Sequence, residues 1–182
     1  MGWIIHSAAA MPRGLACCDS IARMHFIYLR DRPDLAPLVA QWIWDEWRHL
    51  LVQKTLPQFA AWFRGGERGS GLPTTLVLLV DEEPAGTVSL ECDDMDIRSD
   101  LTPWLASLYV TPARRGLGYG QALVRRAEAE ARTLGIEELF LYTPGQAEFY
   151  AALGWQLVET CSYRDAPVTI MARALSLAAR PA

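Results

Sequence analysis

Lysine is almost missing from this chain. Lys54 stands alone among 17 basic residues, and the other 16 are arginines. Such a bias reflects GC-rich coding rather than chemistry, yet it removes every motif that needs a lysine. Histidine is scarce as well. His6, His25 and His49 are scattered, none follows a Ser or Cys in a hydrolase-like signature, and each reads as a surface or structural residue. The four cysteines, Cys17, Cys18, Cys92 and Cys161, form no C-x-x-C, and nothing else sits at metal-ligand spacing, so no metal is expected. They read as reduced, inert thiols of a cytoplasmic protein. No apolar run approaches the roughly 20 residues of a bilayer span, so no membrane partner is expected. Nor is there an excess of positive charge: Lys+Arg is 17 against 21 Asp+Glu, a net charge of −4. A phosphate-backbone binder carries a basic stripe, so nucleic acid is not an expected partner. Repeats and inter-domain linkers are absent too. What remains is a chain of 182 residues, 51% hydrophobic and 21% charged, the profile of one globular domain.

Residues 1–23 show neither strand alternation nor a helical stripe, and their only basic residue before Arg23, Arg13, follows the weak apolar stretch instead of preceding it. A secretory signal has the opposite order, so export is not expected. Residues 1–23 read as a poorly ordered extension, residues 24–174 as the folded domain, and residues 175–182 as a frayed tail. Within the domain the hydrophobic period switches repeatedly between two and 3.6. Strands are expected at Phe26–Leu29, Thr74–Val80, Ala85–Cys92, Trp104–Val110, Glu138–Tyr142, Gln156–Cys161 and Val168–Ala172. Helices are expected at Pro33–Leu51, Leu56–Arg64, Gly118–Leu134 and around Gln146–Leu153. The third is the clearest, with Leu123, Val124, Ala127, Ala131 and Leu134 on one face. Arg125, Arg126, Glu128, Glu130 and Arg132 fall mostly on the other face, and Gly135 ends the helix. The order β-α-α-β-β-β-α-β-α-β-β describes an α+β fold around one mixed sheet.

The strongest local signal is Arg114-Arg115-Gly116-Leu117-Gly118-Tyr119-Gly120-Gln121, between an expected strand and the clearest helix. Three glycines in five residues signal a tight turn with close backbone approach. Unpaired N–H groups at a helix N-terminus make an anion cradle, which points to a phosphorylated ligand held largely by main chain. A Walker loop needs a lysine that is not there. A Rossmann fingerprint fails because Gln121 follows where the third glycine is required. R-x-x-G-x-G is met by Arg115, Gly118 and Gly120. Residues 104–155 as a whole resemble the GNAT superfamily of N-acetyltransferases. The likeness rests on the strand ending Leu108-Tyr109-Val110, on Pro112, on the Arg115–Gly120 turn and on the Leu123/Val124 helix. It is completed by Phe149-Tyr150-x-x-Leu153-Gly154-Trp155 at the family's spacing.

That resemblance implies a GNAT-like three-layer fold, a central mixed and mostly antiparallel sheet flanked by about four helices. It implies acetyl transfer from acetyl-CoA to a primary amine of a small molecule or a peptide N-terminus, by direct attack. The pyrophosphate is then expected on the amides of Arg115, Gly116, Leu117, Gly118, Tyr119, Gly120 and Gln121. The pantetheine arm is expected along Leu108, Tyr109 and Val110, where this strand and Glu138–Tyr142 splay apart. Tyr150 is the expected general acid toward the leaving thiolate, and the Val110 amide a donor to the developing oxyanion. Many family members carry an acid in the strand before the turn, and Trp104–Val110 has none. The base is assigned to Glu91, at a strand end, ahead of Asp93, Asp94, Asp96 and Asp100 in the loop that follows. Trp42 and Trp47 are expected in the core, whereas Trp44 and Trp104 are candidates for an acceptor pocket, and Phe140 and Trp155 read as core. The competing reading is a non-catalytic acyl-CoA-binding regulatory module. The resemblance also implies an exposed last strand of the kind that pairs in homodimers.

Overall fold

The computed structural model describes residues 23–48, 55–65 and 71–176. Residues 1–22, the expected helix end at 49–51, most of the Gly-rich loop at 67–73 and the tail beyond 176 lie outside the described residues. The strands are β1 (Met24–Tyr28), β2 (Thr74–Val80), β3 (Glu83–Glu91), β4 (Trp104–Val110), β5 (Glu138–Thr143), β6 (Gln156–Tyr163) and β7 (Ala166–Ala174). The helices are α1 (Ala36–Trp47), α2 (Leu56–Gly65), α3 (Tyr119–Thr133) and α4 (Ala147–Ala152). Leu29, expected to end the first strand, instead begins a short 3-10 turn.

The strands form a single sheet in the order β1-β2-β3-β4-β5-β7-β6. Every neighbouring pair is antiparallel except β4 and β5. β2 is buried at all seven positions, as expected of a continuous apolar run covered on both faces. Its alternation sorts the core into two layers. Val77 and Leu79 face Val39, Ile43, Phe59 and Phe63 of α1 and α2. Leu76, Leu78 and Val80 face Leu123, Val124 and Ala127 of α3, together with Tyr150 and Leu153 at α4. This is the three-layer α+β architecture with four helices expected from the resemblance.

Two charged residues depart from the helical-wheel reading. Glu128 and Glu130, assigned to the solvent face of α3, are 1% and 7% exposed. Glu130 accepts hydrogen bonds from Tyr28 Oη at 2.8 Å and Arg126 at 2.9 Å. Glu128 accepts one from the Trp155 indole at 3.1 Å. Neighbouring elements cover what an isolated helix would leave wet. At the other end, Leu175 is buried, and its N–H donates to the Glu137 carbonyl at 2.7 Å, so order continues one residue into the expected tail.

Candidate active site

β3 and β4 pair regularly from Glu91↔Trp104 to Ser89↔Ala106 and resume at Thr87↔Tyr109. β4 therefore carries one extra residue at Ser107–Leu108, a β-bulge, and Ser107 takes a left-handed φ of 53°. No local pattern in the sequence announced it. β4 and β5 pair only at Trp104↔Phe140. Beyond that pair the two strands part, and a cleft of about 1090 Å³ opens between them. Leu108 and Val110 line one wall, and Tyr142 and Thr143 the other. The Thr111 N–H donates to the Ala85 carbonyl at 2.9 Å. By strand alternation, the N–H and C=O of Val110 face away from β3, toward the opening.

The Gly-rich turn closes one end of this cleft. Gly116 and Gly118 have φ of 76° and 82°. Gly118 is the N-cap of α3, and no side chain caps the helix. The first helical bond runs from the Ala122 N–H to the Gly118 carbonyl at 3.0 Å, so the Tyr119, Gly120 and Gln121 amides stay available for an anion. Arg114, Arg115, Gly116, Gly118, Tyr119, Gly120 and Gln121 all line the cleft, whereas the Leu117 side chain is 61% exposed. The Arg115 guanidinium is engaged elsewhere. Its Nε donates to the Val110 carbonyl at 3.0 Å and its Nη2 pairs with Glu46 of α1 at 3.0 Å. It also lies over the Tyr109 ring, which stacks on Trp42 at 5.4 Å.

Tyr150 reaches the cleft from α4 and is 8% exposed. Burial pushes its hydroxyl well above the ordinary tyrosine range, so it stays protonated at any physiological pH. Glu91, at the end of β3 and 5% exposed, lines the cleft with Asp93, Asp94 and Asp96. Asp100 does not. It pairs with Arg98, which holds its carboxyl below the usual carboxylate range, and Arg98 also pairs with Glu159. The acidic loop is pinned. Met95 is buried in a cluster with Trp104 and Ile170, and Asp96 lies 3.7 Å from Arg164. Of the aromatic wall expected at the acceptor end, Trp104 is core: it is 1% exposed, and its indole donates to the Leu101 carbonyl at 2.7 Å. Trp44 is absent from the lining, and Trp47, Phe59 and Trp62 take its place. The period along α1 sorted buried from exposed, and gave no means of seeing that α2 packs so as to turn Trp47 and Trp62 toward one opening. Among the described residues, no group of His, Cys, Asp or Glu could hold a metal ion.

The family model of the Acetyltransferase (GNAT) family matches residues 36–155. N-alpha-acetyltransferase 80 of Mus musculus is 28% identical over 132 residues, 70% of this chain but 40% of that protein. Among solved structures, aminoglycoside 6′-N-acetyltransferase complexed with coenzyme A superposes with a TM-score of 0.66 at 17% identity, covering 87% of this chain and 99% of that one. The yncA protein of Salmonella typhimurium, solved with its cofactor acetyl-CoA, gives 0.63 at 18% identity, covering 87% and 98%.

Proposed function

The chain belongs to the acetyltransferase (GNAT) family, and on that premise we propose that it moves an acetyl group from acetyl-CoA to a primary amine of a small molecule or peptide N-terminus, by direct attack. One observation carries the reading: the wedge between β4 and β5 runs onto the uncapped N-terminus of α3. An extended arm ending in a diphosphate fits such a site. The main chain along Leu108, Tyr109 and Val110, where the Val110 groups face the opening, suits the arm, and the amides of Arg115–Gln121 suit the phosphates. The solved structures with coenzyme A and acetyl-CoA share this fold, which supports the assignment.

Acetyl-CoA supplies an activated thioester carbonyl. The chain supplies the rest. Glu91 takes the proton that an ammonium must lose before its nitrogen can attack. The Val110 N–H, turned toward the opening, donates to the carbonyl oxygen as negative charge develops there. The C–N bond forms, the C–S bond breaks, and the Tyr150 hydroxyl gives its proton to the departing sulfur, while the second proton shed by the nitrogen as it becomes an amide passes to water and the Tyr150 oxygen is reprotonated from solvent. Glu91, Asp93, Asp94 and Asp96 make the acceptor end acidic, and Trp47, Phe59 and Trp62 give it an apolar wall. Both features favour a cationic amine over an acceptor with acidic groups beside the nitrogen.

Thiol release from acetyl-CoA across a panel of polyamines, aminoglycosides, amino acids and peptides tests this. The expected result is saturable turnover with a cationic amine, and a fall in kcat of about 100-fold in Tyr150→Phe. An acyl-CoA-binding module would bind acetyl-CoA and turn over none of the panel. Undiminished turnover in Tyr150→Phe would remove the acid role while leaving the acetyl transfer intact.

A further inference from the structure

Glu128 is the most deeply buried carboxylate among the described residues, 1% exposed on α3. A buried charge is costly unless well partnered, and an apolar residue would pack there at lower cost. Its partners are three arginines and one tryptophan. Arg125, Arg132 and Arg173 lie at 3.4, 3.7 and 3.8 Å. Trp155 donates its indole N–H to Glu128 Oε1 at 3.1 Å.

Trp155 is held at both ends, by that indole bond and by its own amide, which donates to the Tyr150 carbonyl at 3.1 Å. Its ring stands 6.0 Å from the Tyr150 ring at 67°. On the other side, Phe149 meets Tyr150 edge-on at 5.0 Å. Among the described residues no side chain hydrogen-bonds the Tyr150 hydroxyl, so packing orients it, by these rings and by the apolar side chains of the same core layer. The turn between α4 and β6 is clamped as well. Arg173 donates to the Gly154 carbonyl there.

We infer that Glu128 is a positioning residue for Tyr150, aiming its hydroxyl into the cleft through the indole of Trp155. The inference rests on the reading of Tyr150 as the proton donor. Placement within about 0.5 Å matters for such a group, and Glu128 provides it from a helix that contributes no side chain to the reacting atoms at that point.

A double-mutant cycle on the full chain tests it, using acetyl-CoA and the fastest amine of the panel. Trp155→Phe keeps an aromatic ring but removes the N–H together with the five-membered part of the indole, so Glu128→Gln serves as the variant that leaves the ring untouched. Trp155→Phe is expected to lower kcat about tenfold with Tyr150 in place, and less than about twofold in a Tyr150→Phe background. KM for acetyl-CoA and the calorimetric Kd for CoA are expected to stay within about twofold, since the α3 N-terminus is untouched. Glu128→Ala repeats the kcat loss with a lower Tm. Glu128→Gln, whose amide carbonyl can still accept the indole N–H, recovers most of it. Unchanged kcat in Trp155→Phe, equal losses in both backgrounds, or a parallel loss of CoA affinity would overturn the positioning role alone. Undiminished kcat in Tyr150→Phe would overturn the acid reading, and this inference with it.

Discussion

A methyl group on residue 86 would sit 2.5 Å from the Tyr109 carbonyl oxygen and 3.0 Å from Leu123 Cδ1. Gly86 stands opposite Val110 in a non-hydrogen-bonded pair, the geometry that brings antiparallel backbones closest. One face of that pair is covered by α3. Neither neighbour can retreat cheaply, because Leu123 is buried and Tyr109 is stacked on Trp42. We expect Gly86→Ala to cost about 2–3 kcal/mol through overpacking, a fall in Tm of roughly 5–10 °C in a domain of this size. The backbone that must yield belongs to the cleft wall, so affinity for CoA is expected to fall with stability. Thermal melts and calorimetry on the same sample check both. A variant that melts normally would show that β3 gives way instead.

Gly118 presents the opposite case, in which conformation and not space makes the demand. Its φ of 82° is strained for any residue with a Cβ, yet a Cβ there would meet nothing within 4 Å. The element at stake is the first turn of α3. Gly118→Ala is expected to lower stability by only about 1 kcal/mol, the left-handed penalty. It is also expected to weaken CoA binding by about tenfold, because relieving the strain re-aims the amides of residues 119–121. A Kd for CoA unchanged beside a lowered Tm would separate this turn from the ligand. Much at this scale was legible in the sequence. The R-x-x-G-x-G spacing marked the turn, the 3.6 period marked α3, and the apolar run at Thr74–Val80 marked β2 as a strand. The parting of β4 from β5 was expected from the family resemblance and not from any local pattern. Two features were not legible, both for the same physical reason. The bulge at Ser107–Leu108 and the burial of Glu128 and Glu130 depend on partners distant in the chain. The bulge answers to β3, and the two carboxylates to Tyr28, Trp155 and Arg173. Trp104 failed as a pocket residue on the same ground: its surroundings are Phe140, Tyr142 and Tyr163, brought beside it only by the sheet.

For the whole molecule, the uneven covering of the sheet raises the question of assembly. The two helical layers protect β2 through β5, but β6 is the outermost strand, and its first five residues are exposed. Leu157 is 64% exposed and Val158 42%, an apolar pair on an edge whose backbone groups, among the described residues, pair on one side alone. Edges of this kind are normally blunted by charge, proline or a cover. Among the described residues, a bulge near Val158 and the ion pair of Glu159 with Arg98 are what blunt it. We propose that β6 pairs with β6 of a second copy, which would bury both apolar side chains and satisfy the free edge. Light scattering across a concentration series is expected to give a dimer, and Leu157→Lys with Val158→Lys a monomer of equal or higher Tm, since these side chains contribute little to the core of one chain. A wild-type monomer throughout the series would refute the pairing. A monomeric variant with full acetyl transfer would show that the cleft, enclosed by lining residues of one chain, works without the pairing.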